Sequence, residues 1–204
     1  MLEKLLESGG TNGVQSNTMS DNPTSDAENQ QERLIKLGWV IGFVEGEGCF
    51  SIGFVKQPDR QEASRIRKGY KTGYQVSHDF AVIQGTKNLR CLQEVQRFFG
   101  AGKIYINRRY DNHKEHLQRY VVHRRDHLLN VIIPFFRRYP MIATKQRDFE
   151  NFACCVEMMN RGEHLTKKGL VKIAKIVETM NRQKPRKALV GILRGHTSNI
   201  RDTG

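Results

Sequence analysis

Glu45 and Glu47 are the side chains whose type and spacing best suit chemistry: two carboxylates bracketed by Gly46 and Gly48. They close an apolar run of Leu34, Ile35, Leu37, Val40, Ile41 and Val44, whose spacing predicts a helix ending near Glu45. A helix C-terminus carries roughly half a negative charge, so carboxylates there are misplaced unless a cation joins them. Hard divalent cations seek carboxylate and carbonyl oxygens, and the pattern therefore points to a metal site. On the same helix Gly38, Gly42 and Gly46 recur every four residues along one face. Each interior glycine costs about 1 kcal/mol against alanine, so three on one stripe need an offsetting gain. Close approach of the same helix from a second copy supplies one, through an interface of Gly38, Ile41, Gly42, Glu45 and Gly46. Packing of the glycines against the chain's own sheet is the alternative.

The elements around this helix can be read from composition and periodicity. The chain has 204 residues and a formal net charge of +13. Residues 1–30 carry −4, so the remainder carries +17. A body that basic suits a polyanionic partner, nucleic acid or an anionic membrane surface. No stretch approaches eighteen consecutive apolar residues, which excludes a membrane-spanning helix. Cys49, Cys91, Cys154 and Cys155 lack CxxC spacing, which disfavours a zinc ribbon or a disulfide framework and favours a reducing compartment. His113, His116, His123 and His127 lack acidic partners suited to zinc. No nucleotide-binding glycine loop is present.

Residues 1–26 read as a polar leader without a secretory or transit signal, 27–181 as one domain, and 182–204 as a basic, loosely ordered tail. Ser25 and Glu28 form a capping-box pair at the predicted start of the first helix. Strands are expected at 49–55 and 74–83, joined by a polar, basic loop over 56–71. Leu89, Leu92, Val95 and Phe99 step at helical spacing up to Gly100. A second hairpin is expected over 103–110 and 117–125, turning at Asp111 and Asn112. Helices follow over 128–136, 144–160 and 166–181. Phe98-Phe99 and Phe135-Phe136 read as core packing. The order is that of an α+β fold, αββαββα, with one four-stranded antiparallel sheet and extra C-terminal helices.

The run Val40-Ile41-Gly42-Phe43-Val44-Glu45-Gly46-Glu47-Gly48 resembles the signature of the LAGLIDADG homing endonucleases. Val40 and Ile41 stand for Leu and Ala, and glutamates replace both aspartates. The resemblance extends over about residues 32–181, including Pro134-Phe135-Phe136 through Tyr139-Pro140 and the following Lys145-Gln146. One signature copy is present, and single-motif members of that family are homodimers. The resemblance implies that Glu47 binds the catalytic divalent metal, normally Mg²⁺, with Mn²⁺ or Ca²⁺ able to occupy the site in crystals. Glu45 is a second metal candidate whose counterpart mainly supports the helix end. Gln84 falls where a polar side chain orients the attacking water, and Lys145 where a lysine neutralises charge. Such a set suits metal-assisted phosphodiester hydrolysis.

The sheet is then expected to read double-stranded DNA, because a strand rises about 3.4 Å per residue, near the base-pair spacing. Base contacts are expected from Ser51, Gly53, Val55 and Gln57 on the first strand and from Gln75, Ser77, Asp79 and Ala81 on the second. Tyr105, Asn107, Arg119, Val121 and His123 are the candidates on the second hairpin. Arg60, Arg65, Arg67, Lys68, Lys71, Arg108 and Arg109 are expected on phosphates. The implied function is a homodimeric endonuclease with a long pseudo-palindromic target and a mobile intron or intein as its home. Membrane binding is not expected. Two other readings stay open: a maturase-like protein that binds intron RNA, and a DNA-binding protein whose nuclease has decayed. No leader address is legible; a prokaryotic cytoplasm or an intron-bearing organelle fits.

Overall fold

The computed structural model describes residues 23–108, 116–180 and 191. Its first element, α1 (Pro23–Glu47), is longer than predicted at both ends. Proline has a fixed φ that suits a first helical turn, so the helix opens at Pro23 and Ser25 lies inside it rather than capping it. The second half of α1 rests on the body, burying Val40 and Val44 completely. Trp39 and Phe43, four apart, stack at 5.1 Å on a neighbouring face.

α1 turns directly into β1 (Gly48–Lys56). Gly48 makes that turn possible, because a Cβ there would sit 2.6 Å from the Val44 carbonyl oxygen. β4 (Tyr74–Gly85) pairs antiparallel with β1 from Gly48↔Val82 to Lys56↔Tyr74. The loop between them contains a small ribbon, β2 (Arg60–Gln61) with β3 (Ile66–Arg67). It is too short to leave a periodic signal. After α2 (Leu89–Phe99) come β5 (Lys103–Asn107) and β6 (Leu117–Val122). The predicted turn at Asp111 and Asn112, with Arg109 beside it, lies outside the described residues. The four long strands form one antiparallel sheet in the order β1-β4-β6-β5.

Alternation sorts the sheet into two faces. The inner face carries Phe50, Ile52, Val76, Phe80, Val82, Tyr120 and Val122, all buried. Phe50 stacks on Phe80 at 5.0 Å and meets Phe149 at 5.2 Å, while Phe80 meets Phe136 edge-on at 5.8 Å. Phe149 belongs to α5 (Lys145–Asn160), and Phe135 and Phe136 to α4 (Ile133–Arg138). Each such ring removed from water contributes on the order of 2 kcal/mol or more. The predicted helix over 128–136 is one run from α3 (Arg125–His127) through a π-helical stretch, Leu128–Ile132, into α4. α2 ends at Gly100, whose φ of +60° is left-handed and whose N–H donates to the Gln96 carbonyl at 2.9 Å. α6 (Lys167–Glu178) is capped by Thr166, whose hydroxyl accepts from the Gly169 N–H at 3.1 Å. It stops three residues short of the predicted Asn181. Among the described residues no helix is long and apolar enough to cross a membrane.

Candidate active site and nucleic-acid face

α1 has no basic residue in its last turn, so its negative end is met from elsewhere in the chain. Lys145, the first residue of α5, donates from Nζ to the carbonyl oxygens of Val44 and Gly46, each at 3.2 Å. Two carbonyls that the helix leaves without partners are thereby satisfied, and a cation stands beside the two glutamates. Partial burial lowers the Lys145 pKa from its ordinary value, while Cys49, Glu47, Glu45 and Asp148 act in the opposite sense.

The two carboxylates separate in role. Glu45 accepts a hydrogen bond from the Ala143 backbone N–H, which ties α1 to the turn preceding α5. Gln146 braces the same turn, accepting from the Met141 N–H at 3.0 Å. Glu47 is exposed, and among the described residues its carboxylate makes no hydrogen bond or ion pair. Gln84 lies near the end of β4, half-buried, two residues past the pairing of Val82 with Gly48. It shares the inward side of Val82, and its side-chain oxygen accepts from Asn88 Nδ2 at 3.1 Å. The structure thus brings Lys145 to Glu47 and Glu45, whereas Gln84 is engaged with Asn88.

The donor chemistry fits a hard cation in part. Glu47 offers free carboxylate oxygens beside a helix end, and Glu45 is already spoken for by a backbone amide. Among the described residues no three His, Cys, Asp or Glu side chains converge to hold a metal. Among the described residues Glu47 is therefore the exposed carboxylate at this helix end, and phosphate or water oxygens would complete the shell of a bound cation.

The outer face of the sheet carries the predicted base-reading register. Ser51, Gly53 and Val55 on β1 lie opposite Asp79, Ser77 and Gln75 on β4. Gln57 Nε2 donates to Gln75 Oε1 at 3.1 Å. On the second hairpin Tyr105 and Asn107 lie opposite Arg119 and Leu117, and His123 is exposed just beyond β6. Ala81 and Val121 are in register but only 2% and 4% exposed, which corrects the expectation that they meet bases. Among the phosphate candidates, Arg65 pairs with Glu62 at 3.0 Å and Lys68 with Asp59 at 3.3 Å. The Gly69 N–H and Lys68 hold the Asp59 carboxyl below its ordinary pKa. Arg60, Arg67, Lys71 and Arg108 are exposed and have no ion pair among the described residues. Cys49, Ile83 and Lys103 were missed on this face. Continuing the period-two alternation to the strand ends would have found them.

The glycine stripe is open. Among the described residues a Cβ added at Gly38, Gly42 or Gly46 would meet nothing within 4 Å, so these glycines are not packed against the four-stranded sheet. Ile41 is half-buried beside them, and Leu34 continues the face with 61% of its surface exposed.

A four-stranded antiparallel sheet backed by helices, with an acidic helix end at its β1 margin, is the architecture of the LAGLIDADG homing endonucleases. Residues 40–156 match the family model described as LAGLIDADG endonuclease, and the chain belongs to that family. It is similar to a probable intron-encoded endonuclease 3 of Neurospora crassa, 29% identical over 67% of this chain and 22% of that protein. It also resembles homing endonuclease I-ApeII of Aeropyrum pernix, 29% identical over 64% of this chain and 68% of the relative. The crystal structure of the homing endonuclease I-TnaI superposes with a TM-score of 0.62 at 33% identity, covering 78% of this chain and 96% of that one. I-SmaMI bound to cleaved DNA superposes with a TM-score of 0.61 at 28% identity, covering 76% and 47%. The chain spans between 22 and 30% of the length of three fungal relatives, two from N. crassa and one from Podospora anserina.

Proposed function

We propose that this chain is a divalent-metal-dependent, site-specific double-strand DNA endonuclease that works as a homodimer on a long pseudo-palindromic target. The observation that carries the reading is the exposed Glu47 carboxylate beside Lys145 at the margin of an outward-facing sheet. Pure binding of a polyanion gains nothing from an unpaired carboxylate next to the phosphate path, whereas hydrolysis with a metal does. The naming of relatives as endonucleases supports a nuclease, and the DNA in the I-SmaMI structures supports DNA as substrate. I-SmaMI on uncleaved DNA with calcium supports a divalent cation.

Glu47 of each copy would hold the cation together with phosphate oxygens. When bound, the cation supplies Lewis-acid stabilisation of charge on the cleaved phosphate and lowers the pKa of a coordinated water. Lys145 keeps a positive charge next to the same phosphate and holds the helix end rigid through its two carbonyl contacts. Gln84 would orient the attacking water after exchanging its bond to Asn88. The outer sheet face sets register on the duplex, with Arg60, Arg67, Lys71 and Arg108 on phosphates. Glu45 serves the frame rather than the metal. No observation favours the RNA-splicing reading over this one.

The test is incubation of the full chain with a DNA duplex library and Mg²⁺, alongside Glu47→Gln. The wild-type protein should cut a discrete sequence, and the variant should lose at least ~100-fold of that activity while still binding. Undiminished cutting by Glu47→Gln would remove this residue from the metal role.

A further inference from the structure

We propose that Arg119 reads a guanine in the major groove and that Asp79 is the positioning residue that aims it. The inference deepens the DNA-reading function above and rests on it. Arg119 Nη2 donates to Asp79 Oδ2 at 3.2 Å on the outer face of the sheet. The two residues are not cross-strand neighbours. Arg119 lies opposite Ile83, four positions from Asp79 along β4, with Ala81 and Val121 paired between them. The arginine stem must therefore lie along the sheet over that pair, which explains why Ala81 and Val121 have almost no exposed surface in a face otherwise open. The guanidinium is tethered through one nitrogen at the Asp79 end of that path.

The consequence is chemical selectivity. Arginine has five donors, and the Asp79 contact occupies one, leaving an open edge of the fork. The open edge matches the two acceptors, O6 and N7, that guanine presents in the major groove. A guanidinium already paired with a carboxylate has little net charge to offer a phosphate, whereas hydrogen bonding to a neutral base edge loses less. Asp79 thereby biases Arg119 towards bases and away from the backbone. It also disfavours indiscriminate attraction of duplex to the centre of the sheet. Ile83 and Tyr105, 40% and 47% exposed and opposite Arg119 on its two sides, give the reading head apolar flanks.

The experiment selects binders from a library of random 30-bp duplexes in Ca²⁺ with the full-length chain, Arg119→Met and Asp79→Asn. Melting temperatures check that both variants, altered on an exposed face, remain folded. The wild-type consensus should contain a guanine, repeated by symmetry in each half-site, that Arg119→Met alone makes indifferent, with a loss of about tenfold for the guanine-containing site. Asp79→Asn should weaken the same preference and raise affinity for a non-consensus duplex, with a log–log salt slope steeper by about 0.9. An Arg119→Met profile identical to wild type overturns the inference. So does a uniform loss on every duplex with a slope shallower by about 0.9, which marks a phosphate clamp. A wild-type protein that selects no consensus overturns the DNA-reading function itself, and this inference with it.

Discussion

At the end of α1, two glutamates separated by Gly46 meet different neighbours. Glu45 accepts a backbone N–H from Ala143 in the turn before α5, whereas Glu47 is exposed and among the described residues its carboxylate accepts no hydrogen bond. The sequence places both on a helix end, and helix geometry explains why it cannot separate them: the acceptor's partner lies 98 positions away. Lys145 was legible through the family resemblance, yet its hydrogen bonds to Val44 and Gly46 were not, because both acceptors are backbone atoms with no signature. The different roles of the glutamates have a measurable consequence. In Glu45→Gln the amide oxygen still accepts from Ala143, so cleavage should stay within a few-fold of wild type and the melting temperature should be nearly unchanged. Glu45→Ala removes the acceptor and should cost about 1–2 kcal/mol of stability, read by urea denaturation. If Glu45→Gln abolishes cutting without destabilising the fold, Glu45 is a metal ligand after all.

At the scale of elements, α1 carries two faces with opposite demands. Val40 and Val44 fill the core, and among the described residues a Cβ placed on the glycine stripe beyond them would meet nothing within 4 Å. The predicted strand faces are legible because burial on one side of a sheet enforces a period of two. The β2–β3 ribbon, the π-helical stretch at Leu128–Ile132 and the start of α1 at Pro23 were not legible, since none changes the apolar period of the surrounding residues. The same reasoning separates folding from assembly on α1. Gly42→Leu adds a side chain into open space in the single chain and removes a poor helix former, so the isolated fold should gain up to ~0.8 kcal/mol. In a dimer seamed on that stripe, the added bulk separates the helices and should weaken association at least ~100-fold, an effect above about 2.7 kcal/mol. Sedimentation equilibrium decides the matter: a variant with unchanged dimer mass at every concentration would place the interface elsewhere.

For the whole molecule, a lower pH limit on stability comes from a histidine buried beneath the sheet, with basic neighbours adding to the effect of burial. His78 faces inward between Val76 and Phe80, and burial lowers its pKa from 6.5 to about 4. Arg125 from the start of α3, His123 from the end of β6 and His164 from the turn before α6 add repulsion, with Asp79 opposing them. Among the described residues neither ring nitrogen of His78 has a hydrogen-bond partner, nor do Arg125 Nε and His164 Nδ1. The native state therefore keeps His78 neutral where the unfolded chain would protonate it. Above pH 6.5 both states are neutral and the residue has no effect. Between 6.5 and about 4 only the unfolded state takes the proton, so stability falls as the pH falls, and below that window the loss from this residue is complete. Between pH 7.5 and 5 the loss is about 1–2 kcal/mol once residual solvent screening is allowed for. His164, whose pKa is lowered by burial and Arg125, adds in the same direction. Urea denaturation at the two pH values should show this drop in wild type and a smaller one in His78→Leu, which keeps an inward apolar side chain without a titrating ring. Equal pH dependence in the two proteins would mean that the acid sensitivity comes from carboxylates elsewhere, with the cluster under the sheet having no part in it.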